Sequence, residues 1–122
     1  MHDHRIERVS EALREELYEI IGFEMDDPRL GGIAVTEVQV SPDSRHAHVK
    51  VCLEGDDLEQ RRALSALDHA RHYLRQELAR RLNLRKVPEL HFEPDAWADA
   101  PARIELLLKR AKKKRGATEK QP

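Results

Sequence analysis

Ile6, Val9, Leu13, Leu17, Ile20 and Phe23 recur every three or four residues, which marks one apolar stripe on a helix from about Asp3 to Glu24. The remaining faces of that helix carry Glu7, Glu11, Glu15, Glu16 and Glu19, so its exposed side is acidic. The pattern stops at DDPRLGG: Pro28 disfavours helical geometry at Asp27, and Gly31-Gly32 lets the chain turn. IAVTEVQV (33–40) is rich in β-branched residues and ends at the turn-forming SPDS. RHAHVKVCL (45–53) then alternates Ala47, Val49, Val51 and Leu53 with His46, His48, Lys50 and Cys52. This predicts a half-buried strand with Cys52 on its polar side, and the short link to the preceding run predicts an antiparallel hairpin.

In EGDD, Asp56 followed by Glu59 resembles a capping box that opens a helix. From there Ala63, Leu67, Ala70, Leu74, Leu78 and Leu82 keep one helical phase, and Asn83 is placed to close the run as a left-handed cap. The run is ~26 residues long against a usual ~8–20 for a globular helix, yet periodicity alone does not demand a break. In a straight helix Arg71 would fall inside the apolar stripe near Leu67 and Leu78, or snorkel out of it. ELHFEPD, with Leu90 and Phe92 alternating, predicts a short third strand. A last helix is expected after Asp99, with Pro101 in its first turn and Ile104, Leu107, Leu108 and Ala111 on one face. KRAKKKRGATEKQP abandons the period and is expected to be a basic, disordered tail. The class is α+β, with one domain over residues 1–108 and a tail over 109–122.

Composition adds an asymmetry that the near-neutral net charge of −1 conceals. Through residue 70 there are 16 acids and 8 bases, a balance of −8; from residue 71 there are 7 acids and 14 bases, a balance of +7. Clustered Lys and Arg raise the local potential whatever the net charge, so the second half points to a polyanionic partner. No run of 18 apolar residues occurs, and MHDHRIERVS has no apolar signal region. With a lone Cys52 unable to form an internal disulfide, a cytoplasmic protein is expected.

Catalytic chemistry finds little support. Neither a phosphate-binding GxxxxGK[ST] loop nor a GxGxxG fingerprint is present. Cys52 shares its strand with His46 and His48, but no third orienting group is evident. The seven histidines read as surface residues rather than metal ligands, since structural zinc sites usually combine cysteines with histidines. Nucleic-acid binding is better supported. Arg71, Arg75, Arg80, Arg81, Arg85 and Lys86 stud the long helical run and the loop after it, and Lys109, Arg110, Lys112, Lys113, Lys114 and Arg115 form the tail. Arginine's planar fork donates two hydrogen bonds to phosphate at once. Aromatics make up only 4% of the chain, so base stacking is not the main device.

Arg5-Ile6-x-Arg8-Val9, Asp27-Pro28-Arg29-Leu30-Gly31, the strand pair with Ser41 and Asp43 between its halves, and Arg85-x-Val87-Pro88-Glu89-Leu90-x-Phe92 with Asp95 together resemble the ribosome-binding factor A family. The resemblance runs from about Arg5 to Lys109. It implies a type II KH-like fold, ordered helix-strand-strand-helix-helix-strand, with an additional C-terminal helix. It also implies a non-catalytic bacterial assembly factor that binds the immature small ribosomal subunit and its ribosomal RNA, alongside ribosomal proteins; a monomer is expected. Such a factor promotes maturation at the RNA 5′ end and matters most in the cold, with no cofactor, metal or membrane. The family breaks its long helical run at an Ala-x-Gly kink, matched here by Ala70, Arg71 and His72, with histidine in place of the glycine.

On this reading RNA is held by Arg71, His72, Arg75, Arg80, Arg81, Arg85 and Lys86 and by the tail, while Asp27, Pro28, Arg29 and Gly31 build a structural loop. The helical run is expected to divide in two, which lifts Arg71 out of the stripe. Two other readings remain at this level. One is a generic KH-type binder of single-stranded nucleic acid, and the other is a protein-interaction adaptor that works through its acidic first helix.

Overall fold

The first apolar stripe forms helix α1, His4–Glu19, which buries Leu13 and Leu17 completely. It runs into a π turn, Ile20–Glu24, whose extra residue rotates the stripe. Ile20 and Ile21 are therefore both buried, while Phe23, expected in the stripe, lies at the surface edge-on to Tyr18 with ring centroids 5.8 Å apart. The structure is a computed structural model that describes residues 4–31 and 33–95. The helix expected after Asp99 and the basic run Lys109, Arg110, Lys112, Lys113, Lys114 and Arg115 lie outside the described residues, as does the expected domain boundary at residue 108.

A 3-10 turn, Pro28–Leu30, follows α1 and is built by its own first residues. The Asp27 carboxylate accepts from the Arg29 backbone N–H at 2.9 Å and from Arg29 Nη2 at 2.8 Å, and Leu30 is driven into the core. That pairing holds the Asp27 carboxyl below its ordinary range, chiefly through the side-chain bond from Arg29. Gly31 is extended at φ −63°, ψ 134°, a conformation any residue adopts, so its role is compactness rather than backbone freedom.

Strands β1, Ala34–Val40, and β2, His46–Cys52, form the expected antiparallel hairpin, and β3, Glu89–Pro94, joins β2 in parallel. The sheet order is β1-β2-β3. A bulge between Val35 and Glu37 shifts the alternation by one residue, so that Val35 and Val38 both reach the core. Cys52 corrects the sequence reading: it is buried, not on an open polar face. The sheet is closed at that end, where the Asp95 N–H bonds Val51 O at 2.8 Å and the Thr36 hydroxyl donates to Asp95 Oδ2 at 2.7 Å.

Helix α2, Asp57–His69, starts at a complete capping box between Asp56 and Glu59. Gly55 precedes it at φ +94°, and a Cβ there would meet the Glu59 side chain at 2.8 Å, so this position requires glycine. Helix α3, Arg71–Leu82, ends at Asn83, which takes the left-handed conformation at φ 54°, ψ 41°. The long run divides at one residue, Ala70, at φ −89°, ψ −2°, whose N–H is shared between Ala66 O and Leu67 O at 3.1 Å each. That is an ordinary turn geometry for an L-residue. His72 sits inside the first turn of α3, which is why the break needs no glycine.

Leu13, Leu17 and Ile20 of the first helical segment, Leu67, Leu74 and Leu78 of α2 and α3, and Val35, Val49, Val51 and Leu90 of the sheet form one buried cluster. All the described helices thus cover one face of the sheet. The other face is polar, with His46, His48, Lys50, His91 and Glu93. The described order is helix-strand-strand-helix-helix-strand, an α+β fold. No described helix is long and apolar enough to cross a membrane.

Candidate nucleic-acid interface

The apolar stripe of α3 divides its arginines between two flanks. On one flank an open groove is lined by Ser44, Arg45, His72, Arg75, Gln76, Arg85 and Lys86. Three elements build it. The first is α3 itself, which presents His72, Arg75 and Gln76 at helical spacing along one edge. The second is the loop from Leu84 to Pro88, started by the Asn83 cap and fastened by Arg75, whose Nη2 donates to Val87 O at 2.9 Å. One guanidinium carries five N–H donors, so this bond leaves most of the fork available to a ligand.

The third element is the turn between β1 and β2, which brings Arg45 to the groove. Asp43 Oδ1 accepts from Ser41 Oγ at 2.6 Å and from the Arg45 N–H at 3.0 Å, and Ser44 closes the turn at φ 61°. The Ser41 hydroxyl, more than the Arg45 amide, holds the Asp43 carboxyl below its ordinary range. Arg45 O in turn accepts the Glu89 N–H at 2.8 Å, which ties the turn to β3. Arg45, Arg85 and Lys86 make no ion pair with any acid among the described residues. Among the described residues, Glu89 is the one acid in the lining.

Arg71 and His72 continue this surface around the break between α2 and α3, beside Asp68, His69 and Arg75. Arg71 Nε lies 3.9 Å from Asp68 Oδ1, and its side chain stays 43% exposed, clear of the buried stripe. Gln76 Nε2 approaches His72 Nε2 at 3.1 Å and orients that ring at the groove edge.

The opposite flank of α3 is different. Arg81 turns towards the first helical segment, where its Nη1 donates to Glu24 Oε2 at 2.7 Å and to Glu16 Oε2 at 3.4 Å. Its Nη2 also meets Glu24, and Glu77 at 3.3 Å. The bond from Arg81 holds the Glu24 carboxyl below its ordinary range, and Glu24 in turn raises the Arg81 guanidinium further above its usual value. Arg80 is exposed and paired to Glu77 at 2.7 Å. The sequence expectation grouped Arg80 and Arg81 with the phosphate contacts; the structure separates both from the groove and makes Arg81 a tie between helices.

Arg45 was missed by sequence reasoning, which took its segment as a strand start. The available signal was the SPDSR turn itself, since a basic residue directly after a tight turn is held at the tip of the hairpin. A second groove, between α1 and β1, is lined by Ile6, Ser10, Arg14 and Val38 together with the acids Glu7, Glu11 and Glu37. That charge is unfavourable for a phosphate chain.

The sequence model of the family described as Ribosome-binding factor A matches residues 5–108. The Ribosome-binding factor A of Solibacter usitatus is 57% identical over 119 residues, covering 98% of this chain and 97% of that one. That of Thermomicrobium roseum is 41% identical, covering 94% and 89%. The crystal structure of ribosome-binding factor A from Thermus thermophilus superposes with a TM-score of 0.65 at 32% identity, over 73% of this chain and 94% of that one. A Thermus thermophilus homology model fitted into a cryo-EM map of a 30S-RbfA complex superposes at 0.55 with 31% identity, over 76% and 93%. With its element order, its hairpin and its divided helix all accounted for, this chain belongs to the ribosome-binding factor A family.

Proposed function

We propose that this protein binds the small ribosomal subunit through its RNA and promotes maturation of that RNA, including its 5′ end, without catalysis. The observation that carries the reading is the groove in which Arg45, Arg75, Arg85 and Lys86 converge from three elements with Glu89 as the only acid. The fitted 30S complex of the Thermus thermophilus relative supports the choice of partner. Arg71 and His72 extend the groove, and Lys109, Arg110, Lys112, Lys113, Lys114 and Arg115 add attraction that is blind to sequence. Guanidinium forks grip phosphates from a rigid frame, so binding favours the RNA conformation whose backbone fits the groove. Binding energy then shifts the folding equilibrium of the RNA, with no bond made or broken. A cytoplasmic setting and greatest importance in the cold accord with this role, because RNA is trapped longer in wrong pairings at low temperature.

Co-sedimentation of the purified protein with isolated small and large subunits, with excess unrelated RNA as competitor, tests this reading. Stoichiometric pelleting with small subunits alone, surviving the competitor, is the expected result. Equal loss to any RNA would reduce the protein to a generic KH-type binder, and no pelleting with either subunit would reject the groove as a ribosomal contact.

A further inference from the structure

The polar face of the sheet carries a second side-chain cluster, which meets the basic groove at Glu89. His46 of β2 and Glu89 of β3 are direct partners across the parallel pairing, and His91 follows Glu89 on the same face. His46 Nδ1 lies 2.9 Å from His91 Nε2, and one ligand atom from each of His46, Glu89 and His91 lies within 4.8 Å of the others. Both imidazoles are half-buried, and Glu89 is exposed. His48 stacks on His91 with ring centroids 5.3 Å apart, and its Nδ1 lies 3.8 Å from Glu93 Oε2.

We infer that His46, Glu89 and His91 form a binding site for one divalent transition-metal ion of the zinc class. Two imidazoles and a carboxylate are the donor set that zinc, cobalt and nickel accept, whereas magnesium and calcium take oxygen ligands and retain water. At zinc–ligand lengths of ~2.0–2.2 Å, tetrahedral donors sit roughly 3.4 Å from one another. The two ring nitrogens are already close to that separation, and the exposed Glu89 carboxylate closes the remaining distance by rotating its side chain. The frame is fixed, because the Glu89 N–H is bonded to Arg45 O and both histidines are anchored in paired strands. His46 Nδ1 and His91 Nε2 face one another at 2.9 Å, and one ion gives both lone pairs the same acceptor. Glu89 also borders the basic groove, so a bound cation cancels the only acidic charge in its lining.

The full chain is titrated with zinc by calorimetry and with cobalt by visible absorption, in the absence of RNA. One equivalent of either metal and the d–d bands of tetrahedral cobalt are expected. His46→Ala/His91→Ala should abolish both signals while circular dichroism stays native, since these side chains lie outside the core. Glu89→Gln should weaken zinc by at least about tenfold, on the scale that loss of even an outer-sphere partner produces. The other histidine-rich stretch, His2 and His4, is the control: His2→Ala/His4→Ala should retain one equivalent. Absence of binding to the full chain, binding that survives the His46/His91 change, or binding lost in the His2/His4 change would each overturn the site. None of these readouts involves RNA, so their failure is distinct from failure of the ribosomal role.

Discussion

Arg75 and Arg81 stand six positions apart on one helix and behave as different residues. Arg75 borders a groove shared with Arg45, Arg85 and Lys86, and its one internal bond goes to a neutral carbonyl. Arg81 is surrounded by Glu16, Glu24 and Glu77, which take up both ends of its guanidinium. The helix supplies the same side chain on either side of its buried stripe, and the neighbouring element decides what it does. An acidic helix alongside turns arginine into an internal tie, while a basic loop alongside leaves its fork open to the groove. Counting arginines along the sequence therefore overstates how many of them line the groove.

Reversing the groove should break this contrast most strongly. Arg75→Glu/Lys86→Glu is expected to weaken small-subunit RNA binding on the order of 100-fold near 0.1 M salt. The salt slope should fall by roughly 0.7 per phosphate no longer neutralised. Binding isotherms at three salt concentrations check both, with circular dichroism confirming the fold. An unchanged slope would remove these residues from the interface.

The other flank is tested by Arg81→Ala, which leaves Glu16 and Glu24 without their cation. Glu77 keeps its pair with Arg80, so the loss falls on Glu16 and Glu24; we expect about 1–2 kcal/mol in urea unfolding, with RNA affinity unchanged within about twofold. The cluster also has a definite pH signature. Glu24 has a folded-state value depressed below its ordinary 4.5, so its stabilisation is present above that pH and disappears as pH falls through the lowered folded value. Thermal melts in that acidic window should therefore fall more steeply for the parent than for Arg81→Ala. Parallel curves would refute the tie.

Arg45→Ala sharpens the comparison on a smaller scale. Taking this single cation away from the turn should reduce RNA affinity by about three- to fivefold and lower the salt slope by roughly 0.7, without a shift in melting temperature. The smallest effect is expected from Arg80→Ala. Its pair with Glu77 is exposed, so neither melting temperature nor RNA affinity should move beyond experimental error.

What the chain announces about itself depends on how local the cause is. The capping box at Asp56 and Glu59, the terminal Asn83 and the alternation of Ala47, Val49 and Val51 are set by neighbours in sequence, and all are found in the structure. The bulge after Val35 is less legible, because the one-residue slip is visible only once β2 supplies a register. The π turn that buries Ile21 and turns out Phe23 likewise answers to packing rather than to periodicity. Cys52 was misplaced because alternation reports a strand's two faces, not what covers them. The division at Ala70 was legible through the family resemblance and through the awkward place of Arg71, not through the apolar period, which runs on unbroken. Within the groove, Arg75, Arg85 and Lys86 could be anticipated from clustering. Arg45 and the exclusion of Arg81 could not, since both depend on interactions between segments far apart in the chain.

The parallel pairing of β3 with β2 has a kinetic consequence. The hairpin of β1 with β2 and the capping of α2 are local events, but β3 must return across both later helices before Glu89 can meet Arg45. Pairings of such long sequence separation pay their loop-closure entropy before any gain, so they form late. The groove straddles that last junction, with Arg45 on one side and Arg85 and Lys86 on the other. A chain that has emerged only as far as Asn83 lacks Arg85, Lys86 and Glu89, and with them one side of the groove. The groove is thus completed only when β3 pairs with β2.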